Sequence, residues 1–591
     1  MRTLWLLICL FSAQITFGQS DALAKRYYDE GSYDKSLRIY QSIYDKNPRR
    51  LDIFRALVAT HQQLEQYDIA GQLLQDKVTG PDSSPTLLIE LGYNYELQGI
   101  ETEAQKYYNL AYQGVDLRPN YARFIGDNFD KYGLLEWAVK SYERGMELSP
   151  TADFNFQLAR IYGELGEFEK MFNKYIDALI KRPNYNGFTK RNFDQYISEE
   201  ADNEANQILK KLLIKRSQQD PKLIYNELLS WLFVQQGEYK KAFAQERAIF
   251  KRDNSSLDHI IELAGIVTDA EQYEMALEIY EYVIQMSQIE EEQLQAHRNR
   301  MAILVKTEPD SQKVLNAFNT LFETYGLEPN THTLQIDYNH YLAFSMGRSD
   351  EAIENLKTLL KKRFNRFQES RVKMELADIL VFTEKFNQAL IYYSQIQKKV
   401  EGNVIAQRAR FKVARTSYFK GDFKWSQIQL DVLKKSTSQL IANDAMELSL
   451  LISDNSVEDS TQTALKKYAK ADLLSVQLKN AKAIALLDGI LNDHKGEAIE
   501  DEALFKQAQL YEATGNYPAA EANYLKIIET FKEDILADDA IYHLARLYDL
   551  RLAQPEKARL FYEQIVFEFS DSIYFVDARK RYRNLRGDDI N

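Results

Sequence analysis

The chain has 591 residues, more than one hydrophobic core can organise, so it is either several domains or an array whose core extends along an axis. With only 23 Gly and 11 Pro but 27% charged and 12% aromatic residues, it favours long helices over sheets, and its 45% apolar content excludes wholesale disorder. A net charge of −13 works against nucleic acid and anionic membrane surfaces as ligands, which leaves proteins or neutral molecules.

The first residues read as a secretory leader. Arg2 gives the positive start, Leu4 to Phe11 form a short apolar run, and Thr16-Phe17-Gly18 offers a small-x-small cleavage site before Gln19. That run is too short to span a bilayer, which takes about 20 apolar residues. A lipoprotein signal on the single cysteine, Cys9, is rejected because Ile8 stands where a small residue is expected. The expectation is an exported chain, cleaved after Gly18, with no cysteine left for a disulfide or a thiolate zinc site. No later segment reaches spanning length without charges.

From residue 19 to 183 a period of 34 residues dominates. Ser36, Ala70, Ala104 and Ala138 follow one another at that interval, and Met171 comes one residue early. Turn glycines recur at Gly31, Gly99, Gly133 and Gly166, with Glu65 in the missing slot. Upstream small residues lie in register at Ala24, Gly92, Gly126 and Ala159, with Val58 the exception. Tyr40, Leu74, Tyr108, Tyr142 and Tyr175 come later in each unit, and the units close near Pro48, Pro81, Pro119, Pro150 and Pro183. Small residues let two helices cross closely, glycine permits the left-handed turn between them, aromatics fill the gap to the next unit, and proline stops the second helix.

These residues resemble the tetratricopeptide repeat family; Leu91-Gly92-x-x-Tyr95, Gly99, Ala104 and Tyr108 carry its pattern within one unit. The resemblance implies an all-α solenoid of tandem helix hairpins, wound as a right-handed superhelix whose first helices line a concave groove. Residues 184–220 keep helical periodicity without the small-residue slots. A middle array follows over 221–453, with Gly237, Ala242, Ala264, Ala276, Gly347, Ala352, Ala377, Ala389, Ala414 and Gly421 in repeat positions and a divergent stretch at 291–330. The polar run within 454–463 reads as a loop or hinge, and the helix before it, near Gln439 to Ile452, has no evident partner. A C-terminal array over 464–591 carries Ala508, Gly515, Ala520, Ala545 and Ala558, and a polar last helix, about Phe575 to Leu585, caps it. The cadence of these last units is similar to repeats of periplasmic and outer-membrane assembly proteins.

No catalytic arrangement emerges. The seven histidines are scattered, His332 and His340 lack an acidic third ligand in register, and phosphate-loop, dinucleotide and nucleophile-elbow motifs are all missing. Acidic clusters such as Glu199-Glu200 and Glu290-Glu291-Glu292 read as solvated helix faces. One basic constellation stands out: Arg408, Lys412 and Arg415 fall at i, i+4 and i+7 on a first-helix face. Some tetratricopeptide domains clamp a partner's carboxylates with basic side chains from successive repeats, which makes this trio the candidate partner-binding site, for an acidic peptide. The preceding repeat supplies Glu375 and Asp378 instead of further cations, so the full clamp is missing. Arg586-Gly587-Asp588 spells an adhesion tripeptide that nothing else in the chain supports.

The expectation is a protein-binding scaffold of the bacterial cell envelope, periplasmic or outer-membrane-associated, with no enzymatic activity, no cofactor and no metal. The alternatives are a repeat-bearing accessory of an enzyme and a surface adhesin.

Overall fold

A computed structural model describes residues 20–588 except 82, 254–255, 436–438 and 457–460. The leader, the middle of the 454–463 run and the last three residues lie outside the described residues. Among the described residues there are helices, turns and no strand. The chain divides into two compact units, residues 1–263 and 264–591, and the division falls inside the helix Asp258–Asp269. Each unit is a solenoid of helix hairpins.

In the first unit the hairpins are 20–29 with Tyr33–Lys46, Leu51–Gln63 with Tyr67–Thr79, Pro85–Leu97 with Glu101–Leu117, Ala122–Lys131 with Leu135–Leu148, and Asn155–Glu164 with Phe168–Lys181. Their small slots are where the helices cross. Ala24, Ala70, Ala104 and Ala138 are fully buried, and Ser36 spends its hydroxyl on the Ala24 carbonyl at 2.9 Å. A β-carbon on Gly92 would stand 2.6 Å from the Tyr108 ring, and one on Gly126 would stand 2.6 Å from Tyr142. Glycine is required at both places by close approach rather than by backbone angle.

The prolines do more than stop helices. Pro119-Asn120-Tyr121, Pro183-Asn184-Tyr185 and Pro329-Asn330-Thr331 each form a single 3-10 turn that leads into the next first helix. Proline suits that start because its φ is already set and the first N–H of a helix has no partner to lose. In 184–220 the first helix is only Asn186–Phe193. Asn206 then holds the following loop by donating to the Ser198 and Glu200 carbonyls at 2.8 and 2.7 Å, and Asn203 caps the helix Glu204–Gln219. In this region the buried Asn206 amide, not a small residue at a helix crossing, holds the turn.

The second unit continues with Glu290–Thr307 and Ser311–Tyr325, His332–His340 and Ser349–Leu359, Arg366–Phe382 and Phe386–Lys399, and Val404–Lys420 and Phe423–Leu433. Asn365 opens Arg366–Phe382 with a capping box closed by Gln368. Ser426 donates to the Ala414 carbonyl at 2.9 Å, repeating the Ser36 contact at the same interval of 12 residues. The helix Gln439–Asp454 then packs on Phe423–Leu433, with Ser449 bonded to Gln427 at 2.7 Å, so the partner that the sequence did not reveal is the helix just before it.

The hairpin Thr463–Val476 with Asn480–Asp493 does not stack on Gln439–Asp454. Its first helix lies against Val404–Lys420, Lys470 pairs with Glu384 at 2.7 Å, and the Gln477 amide donates to the Phe382 carbonyl at 2.8 Å. It therefore folds back over the turn of a hairpin more than 80 residues earlier. The remaining hairpins, Ile499–Ala513 with Tyr517–Thr530 and Ala537–Leu550 with Pro555–Glu568, stack from there, and Phe575–Arg586 comes last.

Gly126→Ala forces the fully buried Tyr142 ring to move and is expected to cost about 1–3 kcal/mol. Gly489→Ala, mid-helix with nothing within 4 Å of the new carbon, is expected to stabilise by up to about 1 kcal/mol. Amide hydrogen exchange, which reads each hairpin's own opening free energy, measures both; equal effects would refute the crossing as the cause.

Candidate functional site

First helices of successive hairpins lie side by side, and their exposed edges form one face in each unit. Side chains on this face pair across hairpins at close to the repeat interval. In the second unit Arg298 donates to Asp337 at 2.6 Å, His340 Nδ1 lies 2.9 Å from Glu375 Oε1, Lys412 Nζ lies 3.0 Å from Asp378, and Lys506 lies 2.7 Å from Asp472. In the first unit Arg55 holds the buried Glu90 at 2.5 Å, and Arg160 pairs with Asp130. The result is a ladder of ion pairs, each rung joining neighbouring hairpins.

The predicted trio sits on Val404–Lys420, but its members do different things. Arg408 is exposed. Lys412 is a rung, tied to Asp378. Arg415 is half-buried, its guanidinium 5.3 Å from the Phe419 ring centre. Glu375 and Asp378, which spoil a full clamp in the sequence, are the rung partners of His340 and Lys412. One of the three cations is therefore already neutralised within the fold.

Sequence reasoning missed a second polar pattern. Buried tyrosines of second helices donate to a carboxylate on the first helix of the same hairpin: Tyr108 to Glu96 at 2.6 Å, Tyr142 to Asp127 at 2.5 Å, Tyr393 to Asp378 at 2.5 Å and Tyr524 to Glu512 at 2.5 Å. Burial, reinforced by the neighbouring carboxylate, holds the Tyr108, Tyr142 and Tyr524 hydroxyls well above the usual range, so each stays a donor. The signal was available as an acid 12 to 15 residues before each repeat tyrosine.

Where Gln439–Asp454 meets the later hairpins, Asn455 donates to Glu502 at 2.9 Å. Burial, and then neighbouring Asp501, push the Glu502 carboxyl well up. Tyr418, Asn455 and Glu502 each keep one buried oxygen without a partner.

Farther on, Gln509, Glu512, His543, Arg546, Leu550 and Arg551 line a cavity of about 240 Å³ between Ile499–Ala513 and Ala537–Leu550. Burial, and then Arg546, lower His543 to about 4, so it is neutral near pH 7. Its ring is 5.4 Å from Phe505 and 6.0 Å from Tyr524.

The other histidines lie apart. His332 is buried with Nδ1 2.8 Å from the Pro329 carbonyl, while His340 faces Glu375. Among the described residues no three His, Cys, Asp or Glu side chains gather into a metal-ligand set. Arg586 and Asp588 of the adhesion tripeptide are paired with each other.

With this geometry in hand, the chain is similar to the TPR repeat-containing protein MJ1428 of Methanocaldococcus jannaschii, at 24% identity over 328 residues. That alignment covers 51% of this chain and 55% of the relative, so the chain spans about half the length of the curated relative it matches. The similarity supports the tetratricopeptide reading of the repeat. No protein-family model matches the chain. Among solved structures, Naa15/Naa10 bound to HypK-THB aligns over 97% of this chain and 94% of that one, at 14% identity and TM-score 0.33. The APC/C hetero-tetramer Cut9-Hcn1 aligns over 90% and 96%, at 14% identity and TM-score 0.24.

The His340–Glu375 rung should respond to pH. The hydrogen bond to Glu375 raises His340, while burial pushes Glu375 up and the imidazolium pulls it back. A raised histidine stabilises the fold while protonated, so the contribution is complete below about pH 6.5 and is lost as pH rises through His340's folded value. The stability difference between the wild type and His340→Gln, followed by denaturation from pH 5 to 9, should shrink over that window; a difference independent of pH would refute the ion pair.

Proposed function

We propose that this chain is a non-catalytic scaffold that holds protein partners along the face of its first helices. The observation that carries the reading is the ladder of cross-hairpin rungs, from Arg298–Asp337 through His340–Glu375 to Lys412–Asp378. It fixes the lateral spacing of the first helices and so pre-orders a face several hairpins wide before any partner arrives. Ordering a binding surface in advance lowers the entropy lost on association. Solenoids offer such extended faces, and recognition on them is shared among many side chains. The fold alone does not name the partner.

The same proposal places the protein in the bacterial cell envelope, as an exported, periplasmic or outer-membrane-associated scaffold. This part rests on Arg2, the run Leu4 to Phe11 and the cleavage site ending at Gly18, all outside the described residues. No helix among the described residues is long and apolar enough to cross a membrane.

Within the proposed face, Arg408 and Arg415 are the members of the predicted trio that no carboxylate neutralises among the described residues, and they contact an acidic stretch of the partner. Cross-linking mass spectrometry on the native source is expected to retrieve a defined partner with cross-links on first helices. Arg408→Glu with Arg415→Glu is expected to reduce its recovery about tenfold. Consistent retrieval of nothing would sink the scaffold, and unchanged recovery would remove these two residues from it.

A further inference from the structure

The ladder has a missing rung. Asp378 and Lys412 are 34 residues apart, and so are Asp472 and Lys506; both pairs are closed. Glu512 and Arg546 stand at the same interval on the next two first helices, Ile499–Ala513 and Ala537–Leu550, yet no ion pair joins them. Glu512 accepts the Tyr524 hydroxyl instead. The tyrosine contact does not by itself forbid a rung, because Asp378 accepts from Tyr393 and Lys412 together. Arg546 is left exposed, 5.9 Å from the Tyr542 ring centre, and neither it nor exposed Arg551 has a carboxylate partner among the described residues. Both arginines line the cavity of about 240 Å³, and Glu512 on the same wall forms an ion pair with neither.

We propose that this cavity receives a glutamate or aspartate side chain from an acidic segment of a bound protein, which closes the open rung on Arg546 and Arg551. This rests on the scaffold reading and gives it a docking point. Two guanidinium forks suit a carboxylate, since each can donate two parallel hydrogen bonds. Gln509 adds a neutral amide, and Leu550 with the uncharged His543 ring gives the site an apolar edge. Glu512 on the same wall repels a doubly charged phosphate more strongly than a singly charged carboxylate, which favours the carboxylate of the two.

The test uses the full chain and a short fluorescein-labelled, amidated peptide of alternating Ala and Glu, read by fluorescence anisotropy. The glutamate peptide is expected to bind and the Ala/Gln counterpart to show no binding. Arg546→Gln with Arg551→Gln is expected to weaken binding at least about tenfold, while Arg363→Gln, at an exposed arginine outside the cavity, changes it less than about twofold. No binding to the wild type, or equal binding by the double variant, overturns the proposal. Tighter binding of a phosphoserine peptide overturns its carboxylate chemistry. If circular dichroism shows the double variant unfolded, phenylglyoxal labelling of the wild type decides: the glutamate peptide must protect Arg546 and Arg551, and unprotected arginines overturn the site. A partner that still cross-links to the other hairpins while the peptide fails would leave the scaffold standing and remove only this docking point.

Discussion

A hairpin of this protein closes where a residue with almost no side chain on one helix meets a tyrosine on the other. Gly92 under Tyr108 and Gly126 under Tyr142 leave no room for a β-carbon, which brings the helix axes as close as their backbones allow. That closeness creates a polar problem, because the tyrosine hydroxyl enters the crossing with it. A buried hydroxyl without a partner costs about 1–3 kcal/mol. The first helix meets the demand with Glu96, one turn on from Gly92, or with Asp127, the residue next to Gly126. Steric fit and hydrogen bonding are thus one constraint, and the raised tyrosine values show that burial reinforces the donor state.

The steric half of this constraint was written in the sequence and the polar half was not. Small residues at a period of 34 are conspicuous because few residue types fit a tight crossing, so the hairpins of the first unit could be placed from Ala70, Ala104 and Ala138 alone. Asp127 and Glu512 looked like any other surface acid, since Asp and Glu are common on helices and their partners lie 12 to 15 residues on. The rungs were harder still. Lys412 reads as a free cation until the fold brings Asp378 to 3.0 Å, which is why the trio with Arg408 and Arg415 looked more uniform than it is. In the sequence Pro119 and Pro183 signal only a stop, because their second role needs the Asn and Tyr that follow to form a turn.

Gln439–Asp454 shows what happens when the slots run out. It buries Ile441, Ala445 and Ile452 in the core of the second unit and leaves Leu440 and Leu450 exposed. The next hairpin lies elsewhere, fastened by Lys470 to Glu384 and by Gln477 to the Phe382 carbonyl. No periodicity could announce this, because the contacts join residues separated by more than two repeats. The buried oxygens of Tyr418, Asn455 and Glu502 left without partners lie along this irregular stretch, whereas the regular crossings satisfy their tyrosines.

The same bookkeeping changes what net charge says about partners. A total of −13 governs long-range attraction, and salt screens that within about 10 Å. At contact distance the sign of the first-helix face depends on which charges the fold has already paired. Asp337, Asp378 and Asp472 are paired with Arg or Lys of the neighbouring hairpin, so they repel an approaching acidic segment far less than their number implies. Arg408, Arg546 and Arg551 are exposed and unmatched by carboxylates among the described residues. An acidic chain can therefore present locally basic positions: each closed rung cancels one carboxylate against one cation and leaves the net charge of the face unchanged, so the local sign around an exposed arginine depends on the charges that remain unpaired beside it.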